Sequence, residues 1–493
     1  MKTEPHPHSH SPITAADIAQ WHGRYDVIVV GFGSAGACAA IAAADAGCSV
    51  LICDIASGSG GSTALSSAEL YLGAGTRVQK ACGYNDSVEA MYDYLMLSNG
   101  PQADPAKIRA YCEGSADHFD WLVDLGVPFN DSEFKARAIV ATTDDGLLYT
   151  GSEKAWPYVE SIAPAPRGHN LAIKGDHGGP LFMKILTAAA LQRGVEVHFE
   201  TRALRLIEDS GEVVGLVVRS DMQERYLRSN QGVILSAGGF VMNREMLAEY
   251  APDLMRCNLP IGNAGDTGSG ILIGQSMGAA VTNMHEGFVS LPFYPPSSLT
   301  FGIFINAHGK RFINEDCYHG RVGAHVLQQP SGPVYLVLSV EDYGKYETHS
   351  YLGAAVAATG ETLDELLAEL DVPENQLRQT IECYNSHAEQ LADPEFHKSG
   401  EWLKPLTAPF VVLDCTPGRG VNMPYFTLGG LDTRVSGEVL TEAGEIIPGL
   451  YAAGRTACGV PRRADGYASG ISVGDASFSG RMAGAAAGAR EKR

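Results

Sequence analysis

"YDVIVVGFGSAGACAAIAAADAGCSVLICD", Tyr25 to Asp54, is the stretch that decides the fold. Tyr25–Val30 is an apolar run without polar alternation, the pattern of a parallel strand buried on both faces. The alanine-rich sequence that follows reads as a helix and stops at Gly47. A second apolar run, "SVLICD", ends in Asp54. Strand, helix and strand in about 30 residues make a βαβ unit. The first turn carries glycines at 31, 33 and 36 in the G-x-G-x-x-G arrangement. Gly31 permits the tight turn, Gly33 lets a pyrophosphate approach the backbone, and Gly36 lets helix and strand pack. Free N–H groups at the helix start, around Ser34 and Ala35, together with the helix dipole, favour phosphate. Asp54, about 20 residues on, is placed to accept ribose hydroxyls.

The chain has 493 residues, enough for two or three domains. Its net charge of −21 argues against nucleic acid and anionic membranes as partners. No apolar run reaches the roughly 18–20 residues of a membrane span. The opening "MKTEPHPHSHSPITAAD" lacks the hydrophobic core of a signal peptide. His6, His8 and His10 alternate there within a Pro/Ser-rich stretch, and residues 1–24 are expected to be a disordered or extended tail. The ten cysteines are scattered and include no C-x-x-C pair. They read as free thiols of a cytoplasmic protein, with no metal site.

Further along, "MKILTAAALQRG" reads as helix, and "VEVHFE", "GEVVGLVV" and "GVILSAGG" read as strands. "GSGILIGQSMGA" reads as a glycine-started helix. From about Met284 the texture becomes aromatic and proline-rich, and "TLDELLAELD" and "ENQLRQTIECYNSHAEQ" are amphipathic helices. "GLYAAGR" (Gly449–Arg455) restores the style of the first domain. The expectation is an α/β chain: a Rossmann-like FAD-binding domain over residues 25–285 and 411–493, interrupted by an α+β cap, or catalytic, domain over 286–410.

FAD rather than a nicotinamide is indicated by two additions. "SGSGGST" (Ser57–Thr63) offers a second nest of N–H groups through Gly60, Gly61, Ser62 and Thr63. The strand-end return at Gly454 suits a long cofactor. These features, with "GVILSAGGF", "GNAGDTGSGI", "HGKRFINED", "YNSHAEQLADPEF" and "FTLGGL", resemble the fumarate reductase/succinate dehydrogenase flavoprotein superfamily over nearly all of the chain after residue 24. The resemblance implies FAD contacts at Asp266 and around Ala203, Ala237 and Gly238. Where that family often has an acidic residue after its glycine, this chain has Arg455. No histidine precedes the nest at Ser57–Gly61, so the resemblance implies non-covalent FAD.

In that family a dicarboxylate is held by arginines and histidines. Here His319, beside Tyr318, takes the place of a proton-delivering arginine, and Tyr467 takes the place of another. Tyr425 and Phe426 precede "TLGG" where a histidine is usual. Each lost charge-assisted contact is worth about 1.5–3 kcal/mol. Arg321 is the nearest replacement cation in sequence. The exchange of cations for aromatics suits an apolar ketone, with Phe293, Tyr294 and Tyr425 as substrate contacts and Phe288, Phe301 and Phe304 as further aromatic candidates. "EDCYHG" and "DGYASG" resemble most closely the 3-ketosteroid 4-(5α)-dehydrogenases, which implies Tyr318, Tyr467 and Ser469 as active-site residues of a steroid-catabolic enzyme.

The chemistry implied is loss of a proton from C4 and a hydride from C5 of a 5α-3-ketosteroid. Tyrosine (pKa about 10) and serine are each poor bases alone, so a hydrogen-bonded Tyr467–Ser469 pair is expected, with Tyr318 relaying. N–H groups of the helix starting at Gly470, including Ile471 and Ser472, are expected to face the flavin. Three other readings remain: a 3-ketosteroid 1-dehydrogenase, an enoate reductase of the fumarate-reductase type, and a non-catalytic flavin redox sensor. No iron–sulfur or haem motif names the electron acceptor.

Overall fold

Residues 25–54 form the unit that their pattern predicts. In this computed structural model, which describes residues 10–344, 346 and 350–492, strand β1 (Gly23–Val30) leads through helix α1 (Ser34–Asp45) to strand β2 (Val50–Cys53). The strands pair in parallel, Val27 opposite Val50 and Val30 opposite Cys53. Val27, Ile28 and Val29 expose no surface, as an unalternated run requires.

The sheet is completed by β3 (Glu196–His198), β4 (Arg202–Asp209), β5 (Glu212–Ser220), β6 (Gln223–Leu235) and β7 (Ile446–Ala452). β3 flanks β2 and β6 flanks β1, both in parallel. β6 has two partners along its other edge: Gln223–Arg228 pairs antiparallel with β5, and Val233–Leu235 pairs parallel with β7. The C-terminal return therefore rejoins the first domain beside the first βαβ unit.

The chain closes with helix α2 (Ile471–Ala489), which packs on α1. A side chain at Gly480 or Gly484 would overlap the carbonyls of Ala35 and Ala39. This close approach explains the alanine and glycine content of both helices.

Residues 10–24 of the expected tail lie against the sheet. Ile13–Thr14 pairs in parallel with β4, and Ile13, Ile18 and Trp21 cover Ile207, Val214 and Val217. Those apolar residues bury the edge of the β4–β5 ribbon. His10 Nδ1 is hydrogen-bonded to Leu204 O at 3.0 Å. His6 and His8 lie outside the described residues.

Between β2 and β3 lies a helical layer, including Val88–Asn99 and Pro105–Asp124, with a small sheet of Leu70–Tyr71, Leu147–Leu148 and Gly168–His169. Asp104 caps the longer helix, accepting from Ala106 N and Lys107 N, and proline fills its first turn. A separate core holds an antiparallel sheet of Ile303–Ile305, Tyr335–Ser339, Phe410–Asp414 and Val356–Gly360, covered by the helices Leu363–Glu369 and Glu374–Ala388. Among the described residues, no helix is long and apolar enough to cross a membrane, and no cluster of metal-ligating side chains occurs.

Candidate active site

The carboxyl ends of β1, β2 and β6 open into one cavity of about 1020 Å³. That is the upper end of the usual size of a ligand pocket, roughly 300–1,000 Å³, and it reaches from Asp54 to the aromatic group around Phe288.

The glycine turn shapes the first wall. Gly31 has φ +100°, and a side chain there would come within 2.6 Å of Ser236 O. One at Gly36 would overlap Gly31 O, so Gly36 lies behind the wall, packing the turn onto α1. Gly33 differs: its nearest neighbour is 3.7 Å away, and its backbone is open to a ligand. It is the N-cap of α1 and, as glycine, brings no side chain of its own to cap that helix. Ser34 N donates to Thr63 Oγ1 at 3.3 Å, tying the first turn to the second glycine nest. In that nest Gly60 and Gly61 have φ of +139° and +53°. Asp54 accepts from Phe32 N at 2.6 Å and Ala56 N at 2.7 Å. Burial raises its pKa, against the pull of those two bonds.

Across the cavity, Asp266 accepts from Ser62 Oγ and from Arg455 Nη2, each at 2.6 Å. A side chain at Gly238 (φ +82°) would overlap Asp266 Oδ1. Arg455 therefore completes an ion pair, its guanidinium 5.3 Å from the Phe426 ring centroid, and its Nη1 is buried without a partner. Ala203, Ala237 and Gly454 also border the cavity, as do Ala35, Gly470 and Ser472. Ile471 is buried beneath the wall and contributes no cavity surface. Gly470 (φ +85°) is the N-cap of α2, again without a side-chain cap. Two helix starts with glycine N-caps, a glycine nest and an unpartnered guanidinium nitrogen fit a dinucleotide carrying a pyrophosphate and a flavin.

The other end of the cavity is aromatic. Strand periodicity selects its residues. In "GFVSLPF" (residues 287–293), Phe288, Ser290 and Pro292 face the cavity, while Val289, Leu291 and Phe293 enter the core. In Pro424–Thr427, Pro424 and Phe426 face it and Tyr425 points away. Phe293, Tyr294 and Tyr425 are thus packing residues and do not border the cavity. Phe293 stacks edge-on to Phe304 at 5.2 Å, and Tyr294 lies beneath Arg137 at 4.0 Å. Phe301 packs on Trp402. The observed alternation makes this distinction, which aromatic content alone does not.

Tyr318, Tyr467 and Ser469 all border the cavity. Tyr467 stacks on Phe288 with ring centroids 4.5 Å apart. Its hydroxyl donates to Ser472 Oγ at 2.9 Å rather than to Ser469, because α2 turns Ser472 back beneath the ring. Burial pushes the Tyr467 pKa up to about 12 and that of Tyr318 well above 10. The Tyr318 hydroxyl is buried and has no partner of ordinary hydrogen-bond geometry. Its neighbour His319 is hydrogen-bonded through Nδ1 to Ser290 Oγ at 2.6 Å, and its Nε2 is bare. Burial, reinforced by Arg137, lowers the His319 pKa to about 3, so the ring is neutral. Arg321 pairs with Asp465 at 3.2 Å and does not reach the cavity. One residue absent from the sequence reading joins this group: Glu69, in "SSAELYLG", whose carboxylate is buried at the cavity wall. Nothing local in the sequence marks it, since a lone glutamate before a strand is ordinarily a surface residue.

An FAD binding domain model matches residues 26–470. Over 97% of this chain and 100% of its own, a 3-ketosteroid-Δ4-(5α)-dehydrogenase from Rhodococcus jostii RHA1, solved with 4-androstene-3,17-dione, is 40% identical with a TM-score of 0.92. The 3-oxo-5-alpha-steroid 4-dehydrogenase of Comamonas testosteroni is 26% identical over 90% of this chain and 94% of its own length. An NADH:fumarate oxidoreductase of Klebsiella pneumoniae (strain 342) is 28% identical over 88% of this chain, which spans only 45% of that protein.

Proposed function

The chain belongs to the FAD binding domain family, in the fumarate reductase/succinate dehydrogenase flavoprotein superfamily, and on that premise we propose that this FAD-dependent oxidoreductase is a 3-ketosteroid 4-(5α)-dehydrogenase. It would introduce a C4–C5 double bond into 5α-3-ketosteroids. The observation that carries the reading is the make-up of the substrate end. A neutral His319, the hydroxyls of Tyr318, Tyr467 and Ser469, and the rings of Phe288 and Phe426 stand where a dicarboxylate needs cations. The nearby guanidinium of Arg455 is already paired with Asp266. The steroid complex of the 40% identical relative agrees with an apolar ketone.

FAD would supply the hydride acceptor, and the glycine turn, the Ser57–Thr63 nest, the Asp266–Arg455 pair and the start of α2 would hold it non-covalently. The protein's own share is to hold the ketone, polarise it and remove the adjacent proton. Tyr467 would donate its one hydroxyl hydrogen to a ketone oxygen in exchange for its bond to Ser472 Oγ, and the Ser472 hydroxyl would then donate to the tyrosine oxygen. Ser469 and Tyr318, which border the same cavity, would move the C4 proton. Bound flavin should bleach anaerobically with a 5α-3-ketosteroid and yield the 4-en-3-one; bleaching by succinate, or a 1-ene product, would overturn this assignment.

A further inference from the structure

The proposed reaction releases a proton, and the hydroxyls around the substrate end are poor places to leave it. Tyr318 and Tyr467 both titrate above a free tyrosine, and serine is weaker still as an acid. Glu69 lies among them. Its carboxylate is buried at the cavity wall, and neither oxygen has a hydrogen-bond partner of ordinary geometry. Ser469 is the side chain close enough to lower its pKa, and the same serine acts on Tyr318. The Glu69 backbone is fixed against Gly470, where any side chain would meet Glu69 C at 2.9 Å. A buried carboxylate without a partner is costly, and such a group in a cavity marks function.

We propose that Glu69 is the terminal proton acceptor of the reaction and receives the C4 proton through the Ser469 hydroxyl. This rests on the dehydrogenase reading above. The C4–H bond breaks, and its proton joins Ser469 Oγ as the serine's own proton passes to a Glu69 oxygen. The electron pair left at C4 becomes the second C4–C5 bond as C5 gives a hydride to the bound flavin, the oxidant. Substrate loses one proton and one hydride; the site gains both. Burial raises the Glu69 pKa to about 7, with Ser469 opposing, so the acceptor is poised at neutral pH. The titratable groups that feel its charge are Tyr318 from the cap and Tyr467 from the C-terminal segment. Among the described residues, no lysine or arginine forms an ion pair with it.

The test uses FAD-loaded enzyme with Glu69→Gln and Glu69→Asp. Anaerobic flavin bleaching by a 5α-3-ketosteroid is followed from about pH 5.5 to about pH 9. Wild type should speed up as pH rises through neutrality; Glu69→Gln should be about 10²–10⁴-fold slower and lose that titration. Glu69→Asp should recover part of the rate with its pH dependence. Infrared difference spectra should contain a carboxylic C=O band titrating near neutrality in wild type and not in Glu69→Gln. FAD content and binding of a 4-en-3-one report that each variant is folded. A Glu69→Gln enzyme that keeps the wild-type rate, or slows but keeps the titration, sinks this inference and leaves the dehydrogenase reading standing. Wild type that no 5α-3-ketosteroid bleaches sinks both.

Discussion

The Tyr467 hydroxyl donates to Ser472 Oγ at 2.9 Å, across one turn at the start of α2. The bond ties the group that would hold a ketone to the helix that would face the flavin. Under the proposed function, polarisation of the substrate and placement of the cofactor would both depend on this bond. Tyr467→Phe keeps the ring on Phe288 and removes the donor. Flavin bleaching by steroid should fall about 10²–10⁴-fold with FAD still bound. Ser472→Ala leaves the donor and should cost less. Equal losses in both variants would mean that the pair acts only as a structural unit.

Ser469 and Tyr467 separate in the structure, so their variants should differ in kind. Ser469→Ala interrupts proton removal and should slow bleaching without weakening binding of the 4-en-3-one product. Tyr467→Phe removes a contact to the ketone and should weaken that binding about five- to tenfold, as for one hydrogen bond. Spectral titration with the product separates the two. An unchanged bleaching rate in Ser469→Ala removes that residue from the mechanism.

The cofactor half was legible in residues 25–63 because the glycines of the G-x-G-x-x-G turn answer local backbone demands. Gly31 and Gly36 have no room for a side chain, and Gly33 borders open space. At the aromatic end a motif named Tyr318, Tyr467 and Ser469, and all three border the cavity. Aromatic content misled at Phe293, Tyr294 and Tyr425, because inward and outward residues alternate along strands whose register the sequence does not state. Glu69 and the Asp266–Arg455 pair were beyond sequence for a different reason. The residues of that pair are 189 positions apart, and chain topology, which no short pattern encodes, brings them together. The N-terminal segment is polar in composition, yet Ile13, Ile18 and Trp21 dock residues 10–24 on the sheet.

Gly33 separates a cofactor effect from a folding effect. Its nearest protein atom is 3.7 Å from where a side chain would begin, so Gly33→Ala costs the apoprotein little. The added methyl group projects toward the pyrophosphate path. FAD affinity should drop at least about tenfold while the unfolding midpoint of the apoprotein stays put. Gly36→Ala, which overlaps Gly31 O, should instead lower both. Fluorescence titration of apoprotein with FAD, beside denaturant melts, distinguishes them.

Arg167 and Asp86 form an ion pair with no exposed side-chain surface, joined by bonds of 2.7 and 2.9 Å. Arg167→Met leaves the Asp86 carboxylate with only Ala74 N and Gln79 Nε2 as donors. The expected loss is about 3–5 kcal/mol. Arg167→Met with Asp86→Leu removes both charges and should recover most of it. A double variant as unstable as the single one would show that the packing, rather than the charge, matters. Denaturant midpoints of the three proteins decide it.

His118 gives the stability a pH dependence of known sign. It lies on the helix Pro105–Asp124 and meets α2, with Nε2 bonded to Ser477 Oγ at 2.9 Å and Nδ1 bare. Burial, aided by Arg481, lowers its pKa to about 3. The unfolded chain protonates this histidine near pH 6.5. The native state therefore binds fewer protons over the interval between, and the contribution is complete above about pH 6.5 and drains as pH falls toward about 3. His169, lowered to about 4, acts in the same direction. Glu69 and Asp475, raised to about 7 and about 6, act oppositely, because their native forms hold protons that the unfolded chain has released. The difference between wild type and His118→Gln isolates the one group. Between about pH 7 and pH 5, wild type should lose about 2 kcal/mol more than the variant. Parallel stability curves over that range would mean that His118 titrates normally in the native protein.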